Sequence, residues 1–234
     1  AADQVGLPPG VLNLVTTHRQ AADHLARHPG IDKVSFTGSV AAGRRIASVC
    51  GDRLARCTLE LGGKSAAVIL DDADIGAAAA TLAQTIVMSA GQVCAAIGRA
   101  EGARLVCGGR RPPHLPRGWY VEPTLFDAVD NRMRIAQEEI FGPVLALIPC
   151  DDEAEAVRIA NDSPFGLYGA VFTPDRERAL AVMRGVRAGT LSQNHFRFDP
   201  SMPSGGFKQS GIGREGGREG LETYTELKSM LLTD

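Results

Sequence analysis

The stretch KVSFTGSVAAGRRIASVCGDRLARCTLELGGKSAAVIL, residues 33–70, decides the fold. KVSF (33–36) is a short strand signal that stops at Thr37-Gly38. From Ser39 to Val49 the apolar residues recur at helical spacing, and Ser39 stands where an N-cap hydroxyl is wanted. CTLEL (57–61) and AAVIL (66–70) are strand signals on either side of the turn Gly62-Gly63. Strand, helix and strand in succession predict an α/β fold with a parallel sheet.

The pattern extends both ways. VLNLV (11–15) has the composition of another short strand, and Gln20 to His28 that of a helix ended by Pro29-Gly30. Asp71 to Asp74 open an Ala-rich helix that runs toward Ser89. In the second half FGPVLALI (141–148), LYGAVF (167–172) and GTLSQN (189–194) are strand signals. Helical stretches alternate with them, from Asp151 to Ala160 and from Asp175 to Val186. A long Pro-, Gly- and Ser-rich loop from Phe198 to Gly217 follows, then a final strand, TYTELKSMLL (223–232). Between Arg99 and Trp119 the periodicity fails, and no clear element is expected before VEPTLF (121–126).

Composition narrows the chemistry. The chain has 234 residues, 44% hydrophobic and 22% charged, with a formal charge of −2. That size supports a real core, and the charge gives no basic field for nucleic acid. No apolar run approaches the roughly 18 residues of a membrane helix, and no signal peptide is expected. AADQVGLPPG (1–10) has the character of a helix end and a turn, so the chain is expected to start inside a larger fold. Five cysteines without C-x-x-C predict neither a disulfide framework nor a zinc ribbon, and a reducing, cytoplasmic setting fits. The five histidines show no ligand spacing, so no metal is expected.

Several short motifs could carry chemistry. In ELGGKS (60–65) a carboxylate ends a strand, either as a solvated junction residue or as a base at a strand end, where α/β active sites collect. In GQVCAA (91–96) Cys94 follows a helix and a Gly, and is either an inert core cysteine or a thiolate nucleophile. FTGSVAAG (36–43) joins a strand to a helix whose N-terminus could receive a phosphate, or is only a turn. EEIFGPV (138–144) is a strand entry with an acidic pair. A G-x-G-x-x-G at Gly211, Gly213 and Gly216 is rejected as a phosphate loop, because no strand is expected before it; a mobile glycine loop is expected there.

Together, and in this order, FTGSVAAG, LELGGKS, GQVCAA, EEIFGPV and PSGGFKQSGIGRE (203–215) resemble the aldehyde dehydrogenase superfamily. The 34-residue step from Glu60 to Cys94 suits that family as well. The resemblance implies an α/β fold with a parallel-sheet catalytic domain, a partial Rossmann-type cofactor domain and a terminal oligomerisation strand. The corresponding divisions are 1–59, 60–222 and 223–234. It implies oxidation of an aldehyde to a carboxylic acid with NAD or NADP. Cys94 would be the nucleophile, passing through a thiohemiacetal and a thioester, with its N–H as half of an oxyanion hole. Glu60 would be the general base. Gly38 and Ser39 would contact the cofactor pyrophosphate, and Gly43 would allow close helix packing. Leu61 and Gly62 would lie against the nicotinamide, Glu139 would bind its ribose, and Phe141 would press on its side. The loop 194–206 would line the aldehyde tunnel, and the strand 223–232 would pair across subunits of a homo-oligomer.

Three departures from the family pattern stand out. The N-terminal part of the family's cofactor domain has no counterpart before Ala1. After Arg99 several dozen residues are missing, since the EGARLVCGG stretch follows almost at once. The family's P-F-G-G is Pro203-Ser204-Gly205-Gly206, which removes an aromatic from the tunnel. Weak or no dehydrogenase turnover is therefore expected. The alternatives are a non-catalytic remnant serving as a structural or subunit-interaction module and, below it, a cysteine hydrolase acting on esters without NAD.

Overall fold

A computed structural model describes residues 3–91, 102–115, 117–197 and 199–233. In chain order, the first part holds α1 (Arg19–Arg27), β1 (Lys33–Thr37), α2 (Val40–Asp52), β2 (Arg56–Glu60), β3 (Ala66–Ile69) and α3 (Ile75–Val87). The middle holds β4 (Arg104–Cys107), β5 (Thr124–Asp127), α4 (Arg134–Gln137), β6 (Val144–Ala146), α5 (Glu153–Asn161) and β7 (Phe165–Gly166). The last part holds β8 (Tyr168–Phe172), α6 (Arg176–Gly185), β9 (Thr190–Gln193), β10 (Phe207–Lys208), β11 (Gly211–Ile212) and α7 (Gly217–Glu222).

The deciding stretch folds as its pattern predicts. β1 and β2 pair in parallel from Lys33↔Arg56 to Thr37↔Glu60, with α2 as the crossover. The Ser39 hydroxyl caps α2 by accepting from the Ala42 N–H at 3.3 Å. Removing the cap by Ser39→Ala is expected to cost about 1 kcal/mol, which a thermal melt would register as a drop of about 2–4 °C.

A second sheet, β3-β8-β9, is parallel throughout and is covered on both faces. Because side chains alternate along β3, Val68 and Leu70 point into a core built with Ala156 of α5 and Ala179 and Val182 of α6. Ala67 and Ile69 point the other way, against Ala78 and Leu82 of α3. Val171 and Phe172 of β8 are almost fully buried in the two layers. Each such side chain contributes about 1.5–3 kcal/mol by leaving water. Arg178 of α6 ties these layers at their rim, reaching Asp71, Asp72 and Glu153 at 2.6, 3.0 and 2.5 Å. The third sheet, β4-β5-β6, is mixed, antiparallel between β4 and β5 and parallel between β5 and β6.

Five expectations need correction. VLNLV (11–15) is not a strand: it lies against no ladder, and Leu14 is 92% exposed. TYTELKSMLL (223–232) is likewise not a strand within this chain. Its first residues are held by side chains, with Lys33 bonded to Thr223 and lying over the Tyr224 ring, and Arg56 bonded to Glu226 and to the Thr225 carbonyl. In both cases a β pattern without a neighbouring edge has nowhere to place its N–H and C=O groups. The strand expected over 141–148 shrinks to Val144–Ala146, because Phe141 takes φ +58° and Pro143 has no N–H to give a ladder. Conversely, β4 lies in the stretch where periodicity failed. Finally, the glycine loop is ordered by pairing: β10 binds β7, and β11 binds β2 through Gly211↔Glu60 and Ile212↔Leu59. Short strands do precede and enter the G-x-G-x-x-G, yet Gly211 and Gly216 press on backbone carbonyls and Gly213 on Thr58.

Candidate active site

β2 delivers Glu60 to the C-terminal end of the β1/β2 pair, where crevices of open parallel sheets form. Its backbone is fastened from two sides. The Glu60 carbonyl accepts from the Gly38 N–H at 3.0 Å, and the next N–H, of Leu61, donates to the Ser210 carbonyl at 2.9 Å. The Thr-Gly-Ser turn before α2 and the clasp after β10 therefore meet at this strand end.

A second carboxylate comes from the far end of the chain. Ser204 and Glu215 exchange two backbone hydrogen bonds of 2.7 Å, closing a hairpin around β10 and β11. Glu215 accepts from the Ser35 hydroxyl at 2.8 Å, so it is fixed to β1. Burial first and the negative Glu215 second, with Arg214 opposing both, leave the Glu60 carboxyl raised to about 7. A carboxylate half-ionised near neutral pH has the proton affinity that general-base work needs. The sequence reading gave Glu215 no role, although it closes PSGGFKQSGIGRE; what was missing was the long-range pairing that brings it to β1.

The double glycine is covered by Glu139. Its carboxylate accepts from the Gly63 N–H at 3.2 Å and sits so close to Gly62 that a Cβ there would collide with Oε2. Lys64, also without a role in the sequence reading, is pushed down to about 8 by burial, with the negative Glu139 resisting the shift. Leu61 is buried, and Gly43 of α2 packs directly on it: a Cβ on Gly43 would lie 2.5 Å from Leu61 Cδ2. Phe141 is 56% exposed, on the strained backbone that ends the Glu139 loop. Gly38 packs on its own strand's Phe36 ring, and Ser39 spends its hydroxyl on the helix cap. The structure thus brings Glu60, Leu61, Gly62, Gly38 and Glu139 around one turn. Gly43 lies behind that turn, while Phe141 stands at the solvent side. Cys94 and the rest of GQVCAA beyond Gly91 lie outside the described residues.

Comparison with known proteins fits this layout. The chain matches the Aldehyde dehydrogenase family in two pieces, residues 1–100 and 95–230. It is 41% identical to the geranial dehydrogenase of Castellaniella defragrans, over 99% of this chain and 59% of that protein. It is 39% identical to the 3-succinoylsemialdehyde-pyridine dehydrogenase of a Pseudomonas species, over 98% of this chain and 60% of that protein. Among solved structures, the Mycobacterium tuberculosis aldehyde dehydrogenase complexed with NAD+ superposes with a TM-score of 0.92 at 42% identity. That superposition covers 98% of this chain and 59% of the other. An indole-3-acetaldehyde dehydrogenase with NAD+ gives 0.89 at 35% identity, covering 98% of this chain and 58% of that one. The chain thus spans about 59% of the length of these relatives. The alignment to the geranial dehydrogenase runs over 285 positions against 234 residues here, so at least 51 of its positions (285 − 234) have no counterpart in this chain. The two matched pieces overlap at 95–100, so the break falls beside Arg99, where the sequence pattern first faltered. With motif order, fold and site layout in agreement, the chain belongs to the aldehyde dehydrogenase family.

Proposed function

We propose that this chain carries the acyl-transfer centre of an NAD(P)-dependent aldehyde oxidation, with Cys94 as nucleophile and Glu60 as general base. The observation that carries the reading is Glu60 itself: a strand-end carboxyl raised to about 7, fastened by the Gly38 turn and faced by Glu215.

The residues present suit the nicotinamide end of the cofactor. α2 is 13 residues long, and its first N–H groups have no partner within the helix. Gly38 and Ser39 would place the pyrophosphate there. Gly62, having no side chain, lets the Glu139 carboxylate close over the turn, where it would take a ribose hydroxyl, and Leu61 is the apolar residue that would lie against the nicotinamide. Phe141 would cover the outer side. When bound, NAD(P) supplies the acceptor for the hydride that leaves the aldehyde carbon.

The chain's own residues do the rest. The Cys94 thiolate adds to the aldehyde carbon, and its backbone N–H holds the oxyanion. Once the carbon is oxidised to the thioester, Glu60 takes a proton from water. The water oxygen bonds to the acyl carbon, the C–S bond breaks, and the acid leaves with the thiolate restored. Glu215 keeps the Glu60 proton affinity high enough to accept that proton. The substrate is an aldehyde whose tail lies along loop 194–206, where Ser204 leaves room. Residues 1–59 contribute cofactor contacts, 60–222 the catalytic unit, and 223–234 a strand for a second copy of the chain. Leu227, Leu231 and Leu232, almost wholly exposed, support that last assignment. No helix among the described residues is long and apolar enough to cross a membrane.

Alkylation of the native chain tests this. Cys94 is expected to react at least about tenfold faster with iodoacetamide than the exposed Cys107 and Cys150, as a thiol with a lowered pKa would. Burial and the neighbouring acids hold the Cys150 thiol up. Mass spectrometry of the time course reads each site separately. Equal rates would favour the second reading, a non-catalytic remnant, which the missing 51 positions motivate. NADH formation with a panel of aldehydes is expected to be weak. Strong turnover abolished by Cys94→Ser would overturn that expectation while supporting the assignment of the nucleophile.

A further inference from the structure

A cavity of about 670 Å³ lies between the second and third sheets. Its lining includes Glu60, Lys64, Ser204 and Glu215 of the candidate active site and, beside them, two strands and two helices. All four residues of β3, Ala66 to Ile69, line it, and so do all three of β6, Val144 to Ala146. Among the described residues, β3 pairs only with β8 and β6 only with β5, so each strand turns an unpaired edge to the cavity. α3 contributes Leu82, Thr85 and Ile86 to the lining, and α5 contributes Ala156, Ile159 and Ala160. These helices cover opposite faces of β3, because Ala67 and Ile69 pack on α3 while Val68 and Leu70 pack with α5. Leu145 of β6 reaches the α3 layer as well. The cavity therefore continues the sheet layer itself, between two strand edges and two helical faces.

Chain order agrees. The break in the family match falls after α3 and before β4, and β4 belongs to the sheet that carries β6. At least 51 positions of the geranial dehydrogenase have no counterpart here. In chain order the break thus lies between the strands of the two sheets.

We propose that this cavity is a strand slot, and that the chain binds an extended apolar polypeptide segment in trans, between β3 and β6, so that the two sheets become one. A strand there would satisfy N–H and C=O groups on both edges at the usual spacing of about 4.8 Å to each neighbour. Its side chains would meet apolar helices above and below, so its sequence must be apolar at nearly every position, as in a buried parallel sheet. The proposal does not depend on Cys94 or on any turnover.

The probe is a polypeptide made of the geranial dehydrogenase residues that align to nothing in this chain. Hydrogen exchange is followed on the full chain with and without it. Backbone amides of 66–69 and 144–146 are expected to slow by at least about tenfold together. A probe carrying proline in the middle of its apolar run is expected to leave both edges unprotected. Protection at neither edge, at one edge only, or equally with the proline probe would overturn the proposal. So would a dimer of this chain, seen by gel filtration, whose edges are already protected without the probe, since the occupant would then be a second copy.

Discussion

Gly211→Ala is expected to destabilise the chain by about 3–5 kcal/mol, among the larger effects of a single substitution. Gly211 stands at φ +146°, which a side chain rarely tolerates, and a Cβ there would run into the Leu59 carbonyl oxygen. The obstacle is backbone on a paired strand, so nothing flexible can yield. Gly211 is the residue that sets β11 against Glu60, and the preceding Ser210 holds Leu61 through its carbonyl and the Gly166 N–H through its hydroxyl at 3.0 Å. Displacing β11 would loosen the clasp between the first sheet and β7, and with it the Glu60 strand end. Urea unfolding measures the effect. Gly51→Ala is the control: it lies in α2 with nothing within 4 Å of its would-be Cβ. Alanine there should be neutral or stabilising by up to about 1 kcal/mol. If the two variants unfold at the same urea concentration, the clasp does not hold the site.

That clasp also shows what could and could not be seen in the sequence. The β1-α2-β2 unit was legible because its signals are local: a β run, a Thr-Gly stop, a Ser cap and an apolar stripe within about thirty residues. The helices expected from Asp71–Asp74, Asp151 and Asp175 were legible for the same reason, and in the structure the Asp74, Asp152 and Asp175 carboxylates cap them. The pairing of Gly211 with Glu60 was not legible, because no local rule links positions 151 residues apart (211 − 60). Hence the glycine-rich stretch reads as a mobile loop, although β10, β11 and the Ser204–Glu215 bridge pin it. The same limit hid Glu215, whose importance lies in facing β1. It also misled about VLNLV and TYTELKSMLL, where a correct β pattern lacks an edge to join. Around Arg99 the failure of periodicity was itself the signal, as a chain from which a segment is missing has lost the context that makes its short elements recognisable.

Glu60→Gln is expected to separate catalysis from stability in opposite directions. The Glu60 carboxyl is raised from 4.5 to about 7 in the folded chain, by burial first and by Glu215 second. The folded state therefore holds this proton more tightly than the unfolded state. Stability then falls as pH rises from about 4.5 to about 7, and stays low above that, because the native state must bear a charge it disfavours. A shift of that size corresponds to roughly 3 kcal/mol at about 1.4 kcal/mol per pKa unit. Partial exposure screens it, leaving about 1–2 kcal/mol. Glutamine is neutral and nearly isosteric, so the variant should melt about 2–6 °C above the parent at pH 8 and close to the parent at pH 5. In any assay that reads acyl-enzyme hydrolysis, the same change should cost about 10²–10⁴-fold, the contribution of a placed base. A residue kept at the expense of stability at neutral pH, and needed for turnover, is retained for its chemistry. Equal melting gains at pH 5 and pH 8 would instead mean that the substitution relieves packing, and that the charge on Glu60 is not what the fold resists.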